Sequence, residues 1–233
     1  MTTLAPMLIS TFDLIRPMFL AVLLVAAATA PAGAQTVDET LLDIENRWAV
    51  ALYASSEQEK EVALTKLLRD VRAFAASHSD NPEAVAWHGI IARECTRAQC
   101  RSRSKKFNKE ARDALLKAEA LDPYALGGRI YANLGALYSQ TSSAFGGFGS
   151  QVKGIGYLWR AIIIDPHGLE SNYLYAELLV DENNLEEARQ VLLKASGTPV
   201  RPSHLLADRG RQQEILALLQ KVEDQLNKPS PVG

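Results

Sequence analysis

The sequence predicts an all-α chain of antiparallel helix-turn-helix repeats stacked as a short α-solenoid. Three observations lead there. Beyond residue 34 the apolar residues recur at helical spacing, and no stretch alternates apolar with polar for long enough to make a sheet. Pro82, Pro123, Pro166 and the Gly- and Ser-rich segment 139–150 fall at the edges of or between these periodic segments, where turns belong. The same small and apolar residues also return at matching distances from a proline in successive segments. Composition agrees: 233 residues at 47% hydrophobic bury a real core, which excludes disorder, collagen and a cysteine-stapled mini-protein. A net charge of -2 argues against a general nucleic-acid binder. Two cysteines and four histidines leave little material for a metal site.

In chain order, the first feature is the apolar run MFLAVLLVAAATA at residues 18–30, preceded by Arg16 and followed by Pro31-Ala32-Gly33-Ala34. Small residues at Ala32 and Ala34 suit a signal-peptide cut after Ala34, and the run is short for a membrane span. Residues 1–34 are therefore expected to be removed. The mature chain should start at Gln35 in a periplasmic or secreted setting, with no stable membrane insertion.

A first helix is expected over Asp38 to Ala54 and a second over Glu57 to Ser77, together forming an N-terminal cap at residues 35–80. Asn81-Pro82 starts a third helix, with Pro82 where a missing N–H costs nothing. A basic stretch, Glu94 to Lys109, interrupts its apolar pattern and reads as an insertion near 94–106. Further helices are expected at Asn108 to Leu121, stopped by Asp122-Pro123, and at Ala125 to Tyr138. The segment SQTSSAFGGFGS, residues 139–150, is a loop by composition. Helices then follow at Val152 to Ile164, Leu169 to Asp181, Leu185 to Ala195 and Ser203 to Leu226. The last of these caps the stack (201–226), and residues 227–233 form a flexible tail.

The repeat signal lies in pairs of helices. Ala111, Leu115, Ala118 and Pro123 are echoed by Leu158, Ala161 and Pro166, with Gly154 in place of the first Ala, and again by Ala188, Leu192 and Ala195. Each of these helices follows one that carries a small residue: Gly89, Gly135 or Ala176. Ala176 and Ala188 are 12 apart, the spacing of a 34-residue helix-turn-helix unit. With the pair Leu134-Gly135, these segments resemble tetratricopeptide repeats over roughly Pro82 to Pro199, three units within residues 81–200. The run from Arg201 to Arg211 and the Gly147-Phe148-Gly149 loop are similar to an exported bacterial subgroup of that family whose role is undefined. A more remote resemblance is to a periplasmic helical component of some substrate-binding transport systems. The resemblance implies a stacked fold with the first helices of the units lining a concave face. It implies nothing specific about the ligand.

No HExxH, GxSxG, Walker or CxxC pattern is present, so neither an enzyme nor a cofactor site is expected. On the concave face the register places Arg129 in the second unit, and Glu170, Tyr173 and Glu177 in the third. Arg129, Tyr173 and Glu177 are the candidate protein-binding residues, with Phe145 and Phe148 of the glycine loop as further contacts. Arg97, Arg101, Arg103, Lys105 and Lys106 form a basic patch that could meet an acidic partner. Cys95 and Cys100 both lie in that insertion, and an oxidising destination predicts a disulfide between them. The bond sets a condition: the helix begun at Pro82 must end by about Cys95. The function expected is a non-catalytic adaptor or assembly factor that binds an envelope protein or peptide. The alternative is a ligand-binding accessory component of an envelope transport system. An open polar groove favours the first, an enclosed apolar pocket the second.

Overall fold

The computed structural model describes residues 35–98, 100, 104–144 and 147–228. These form nine α-helices and one 3₁₀ turn, with no strand among the described residues. The expected leader (residues 1–34) and residues 229–233 of the expected tail lie outside the described residues, as do Arg101, Arg103, Phe145 and the side chain of Lys105.

Side-chain caps mark four of the helix starts. Helix α1 (Val37–Tyr53) and helix α2 (Glu57–Ser77) each open with a capping box, Thr36 with Glu39 and Ser56 with Glu59. The side chain of Asn81 accepts from the Ala84 amide at 2.9 Å and caps α3 (Pro82–Arg97). Helix α4 spans Ser104–Leu121 and α5 spans Arg129–Gln140. Helix α6 (Gln151–Ile164) is capped by Ser150. Helices α7 (Leu169–Asp181) and α8 (Leu185–Ser196) follow, then a 3₁₀ turn at Pro202–His204 and α9 (Leu205–Leu226).

The tightest packing is within the pairs α3–α4, α5–α6 and α7–α8. Each pair meets across the small residues that the sequence pattern singled out. Ala111, Leu115, Ala118, Leu158, Ala161, Ala188, Leu192 and Ala195 have no exposed surface. A Cβ on Gly89 would lie 2.6 Å from Leu115 Cγ, and one on Gly135 would lie 2.5 Å from Leu158 Cγ. The two glycines therefore play the same part in successive units, one register apart. Helices α1, α3, α5 and α7 form an inner row, each touching the next. Helix α9 packs on α7 and α8 and also on α1, so the inner row closes into a ring. At that closure Gly210 sits against the ring of Tyr53, and the Tyr53 hydroxyl donates to Glu214 Oε2 at 3.0 Å.

Three expectations need correction. The polar stretch after Glu94 does not end α3, which continues to Arg97, while α4 begins as early as Ser104. Residues 94–97 and 104–106 of the expected insertion therefore belong to helices. The reason is that Arg93 and Glu94 neutralise each other inside the protein at 3.1 Å, while Cys95 and Phe107 continue the buried face. Helix α5 starts four residues later than expected. Leu126, Gly127 and Gly128 all have positive φ (56°, 55° and 83°), a left-handed run that no helix accommodates.

Cys95 and Cys100 are not joined: both are free, buried thiols. The condition for the bond fails because α3 runs through Cys95 to Arg97. The two thiols instead pack as small apolar groups in hydrogen-bond contact with each other, and Cys100 Sγ lies 3.8 Å from the Glu61 carbonyl oxygen. The hydrogen bond from Cys95 pulls the Cys100 thiol down to about 7 and pushes Cys95 up. Thiol titration under denaturing, non-reducing conditions should give two free thiols per chain. A count of zero would contradict this packing.

Helices α2, α3 and α4 are tied by one carboxylate. Glu110 accepts from the Arg72 guanidinium and lies 2.7 Å from His88 Nε2. Burial raises its pKa, but the bonds from His88 and Arg72 outweigh burial and hold it at about 2. A carboxylate depressed in the folded state stabilises above its unfolded pKa, and that stability is lost as pH falls through the folded value. Glu110 should therefore contribute on the order of 2 kcal/mol, allowing for solvent screening, that disappears between about pH 4.5 and pH 2. Glu110→Gln should flatten the acid limb of stability in that window. An unchanged acid limb would show that the cluster is screened out.

Candidate functional site

The inner faces of the ring carry charge where a solenoid core would carry only apolar groups. On α1, Glu45 and Trp48 face inward one turn apart. Glu45 receives Arg129 Nη1 of α5 at 3.0 Å and His204 Nε2 at 3.1 Å, and Arg201 approaches at 3.5 Å. The Arg129 guanidinium lies over the rings of Trp87 at 4.6 Å and Trp48 at 5.4 Å, a cation–π arrangement away from water. Arg201 in turn forks onto Asp208 at 2.7 and 3.0 Å.

On the α9 side, Arg211 is 3% exposed. It donates to Glu170 Oε2 and to Glu214 Oε2, each at 2.6 Å, and its guanidinium lies 4.5 Å from the centre of the Tyr173 ring. Burial raises the Glu170 pKa, but the charges of Arg211, Arg129 and Arg93 outweigh it and hold Glu170 ionised. Burial lowers the Arg211 pKa, but Glu170, Tyr53 and Glu214 more than restore it. Burial raises the pKa of Glu214 against the pull of Arg211. Deeper along the ring, Arg93 donates to Asn133 at 3.3 Å and Gln140 at 3.2 Å. Each charge is matched by an opposite charge or a polar group on another helix, which is the condition for keeping it inside.

These side chains border a cavity of about 780 Å³. It opens at the N-terminal ends of the inner helices. Asp38 and Leu42 of α1, Glu83 of α3, Arg129 of α5, Ser171 of α7 and Ala207 of α9 all line it. Helices α5 and α7 begin there on Gly128 and Gly168, and α9 on His204, with no side-chain cap on any of the three. Several residues that line it also hold a polar atom, buried from solvent, with no partner among the described residues: Trp48 Nε1, Arg129 Nε, Arg211 Nε, Ser171 Oγ and Glu170 Oε1.

The sequence-predicted residues divide. Arg129 is in the cavity wall. Tyr173 and Glu177 come together, the Tyr173 hydroxyl donating to Glu177 Oε1 at 3.0 Å, but Tyr173 is only 8% exposed beneath Arg211. Arg97 and Lys106 of the basic patch are both exposed, and Arg97 lies 3.8 Å from Glu177. Phe148 packs edge-on to Tyr138 with the Arg112 guanidinium 4.5 Å from its ring centre, on the scaffold and not in the cavity. Sequence reading did not single out Glu45, Trp48, Ser171 and Arg211. For Arg211 there was one signal, a glycine at 210 in the interior of a helix, which marks close approach by another element. Among the described residues no group of three or more His, Cys, Asp or Glu is placed to hold a metal ion. Nor is any helix there long and apolar enough to cross a membrane.

No family model and no curated protein matches this chain. Among solved structures the chain is similar to the crystal structure of a thermophilic TPR protein in Thermus thermophilus. That similarity is 19% identity with a TM-score of 0.49, over 77% of this chain and 90% of that one.

Proposed function

We propose that the chain is a non-catalytic binding protein of the cell envelope that holds a short peptide, or the end of a partner chain, in the cavity at the N-terminal ends of its inner helices. The observation that carries this reading is the cavity itself, about 780 Å³, walled by charged and polar side chains from five helices. An extended segment laid along the full concave face is disfavoured, because α9 and the ion pairs of Arg211, Arg93 and Glu170 fill that space. The cavity volume falls in the range of small-ligand sites, which favours, as a second reading, a ligand-binding accessory to a transport system.

A photo-crosslinking residue placed at Leu42, on the cavity rim, should capture a ligand or partner in cell envelopes. The same residue at Ile163, on the outer face and 72% exposed, should not. Capture at Ile163 alone would move the binding site to the outer helices. Export is part of the proposal, and N-terminal sequencing of the envelope form should read Gln35 first. Intact Met1 on that form would remove the envelope assignment.

A further inference from the structure

We infer that the outer face of α6 joins two copies of this chain, with their α6 helices running parallel about a two-fold axis. The inference goes beyond the cavity reading and is independent of it, since none of Val152, Gly156, Trp159 and Ile163 lines the cavity. Those four residues form the face. Its apolar character and the charges on either side of it lead to the second copy.

Val152, Gly156, Trp159 and Ile163 follow one another at steps of four, three and four, the spacing of a two-helix seam. At about 100° per residue they lie within roughly 60° of arc on one side of the helix. Val152 is 81% exposed, Trp159 57% and Ile163 72%. Gly156 has nothing within 4 Å of its Cβ position among the described residues, which leaves a notch in the stripe. The neighbouring units show that the repeat register does not require this face. Counted from the buried small residue at 111, 154 and 188, the same four positions are Lys109, Asp113, Leu116 and Ala120 in α4. They are Glu186, Gln190 and Leu193 in α8, with Gly197 at its C-cap. The middle unit alone replaces the two polar positions by Val152 and Gly156. The Trp159 indole N–H acts on the Tyr175 hydroxyl, which donates to Glu187 Oε1 at 2.7 Å. An anchored, exposed tryptophan in an apolar stripe with polar flanks is the usual centre of a protein contact.

The two flanks of the stripe carry opposite charge. On the side towards α4, Tyr157 and Arg160 both reach Glu119 of that helix, and Lys153 lies on the same flank of α6 as Arg160. There Lys109, Lys117, Lys153 and Arg160 outnumber Asp113 and Glu119, and Asp113 is already paired with Arg112 at 2.6 Å. On the side towards α8, Gln151 donates to Glu182 at 2.8 Å. There Asp181, Glu182, Glu186 and Glu187 outnumber Arg189 and Lys194, and Arg189 turns to Glu223 of α9 at 3.6 Å. A two-fold axis along α6 sets the basic flank of each copy against the acidic flank of the other. A two-fold axis across α6, which would make the helices antiparallel, sets like flanks together. Charge therefore selects the parallel arrangement, in which Lys153 of one copy faces the acidic N-terminal end of α8 in the other. An anionic membrane surface fits less well, because it would repel the acidic flank. A stable dimer buries roughly 800 Å² on each partner, more than one helical stripe supplies, so the charged flanks belong to the contact.

Sedimentation velocity of the protein purified from the envelope reads the state directly. The chain should sediment as a reversible dimer at micromolar concentration. Ile163→Glu should weaken that dimer at least about tenfold, with helicity unchanged because the side chain lies outside the core. Lys153→Glu should weaken it as well. Adding Glu186→Lys to that variant should restore it, because the exchanged charges meet again across the axis. A crosslinking residue at Ile163 should yield a product of two chains and neither a ligand nor a foreign protein. A monomer across the micromolar range would overturn the inference, whether or not it binds vesicles of an anionic phospholipid. So would a dimer that Ile163→Glu leaves intact, or a foreign protein crosslinked at Ile163. Failure of Glu186→Lys to restore the Lys153→Glu dimer would overturn the parallel pairing, and the inference with it. The Leu42 crosslink tests the cavity reading separately.

Discussion

Arg211→Ala is expected to remove about 3–5 kcal/mol of folding stability, the cost of leaving a buried carboxylate without its partner. Arg211 is a buried ionic link between α9 and α7. It binds Glu170 of α7, holds Glu214 of its own helix and covers Tyr173. Without it, Glu170 would remain 7% exposed with its pairing cation gone. For a chain of this size the fall in Tm should be roughly 10 °C. The pH dependence follows from the sign. In the variant, burial of Glu170 is opposed only by the weaker pull of Arg129 and Arg93, so its folded pKa moves up from its present depressed state. A raised acid costs stability above its pKa and stops costing it once protonated, so the deficit should shrink towards about pH 5. Glu170→Gln in the Arg211→Ala background should recover part of the loss by removing the stranded charge. Chemical denaturation checks all three statements. A loss under about 1 kcal/mol for Arg211→Ala would show that α9 is held by its apolar face alone.

Gly135→Val is expected to cost about 3 kcal/mol, at the upper end of the penalties for overpacking a close-packed interior. The Cβ position at Gly135 lies 2.5 Å from Leu158 Cγ, 2.9 Å from the Gly154 carbonyl oxygen and 3.0 Å from the Leu158 amide nitrogen. Two of those three atoms are backbone of α6, so a rotamer change cannot relieve the clash and the helix pair must separate. Gly156, also on α6, has nothing within 4 Å of its Cβ position. Gly156→Ala should therefore stabilise by about 0.5–1 kcal/mol through helix propensity alone. The paired measurement separates packing from propensity, because the two substitutions add side chains at glycines of facing helices with opposite expected signs. Equal effects of the same sign would refute the account of Gly135 as a packing residue.

The repeat register was legible because it is written in short-range patterns. Helix α2 and helix α7 begin and end where apolar periodicity and turn residues place them. Gly89 and Gly135 could be paired with Leu115 and Leu158 from spacing alone. The errors occurred where a local signal carried two meanings. Arg93 and Glu94 look like the polar end of a helix, yet they are a buried pair that lets α3 continue. Leu126 looks like a residue of α5, yet it sits in a left-handed turn with two glycines. Tyr173 and Glu177 do lie on the inner face of α7, but an inner position in this chain is a covered one.

The sequence by itself determined the all-helical repeat, the pairing of its helices and the inner face of each, because these follow from a 3.6-residue period, caps and small residues within a few turns. Tertiary structure alone decided that α9 closes the row against α1, that the inner charges are paired, and that a cavity remains at the N-terminal ends of the inner helices. The contacts responsible join residues far apart in the chain, 161 positions for Tyr53 and Glu214 and 84 for Arg129 and Glu45. Whether they form depends on the curvature accumulated from one unit to the next, a small rotation per repeat that no single window of sequence records.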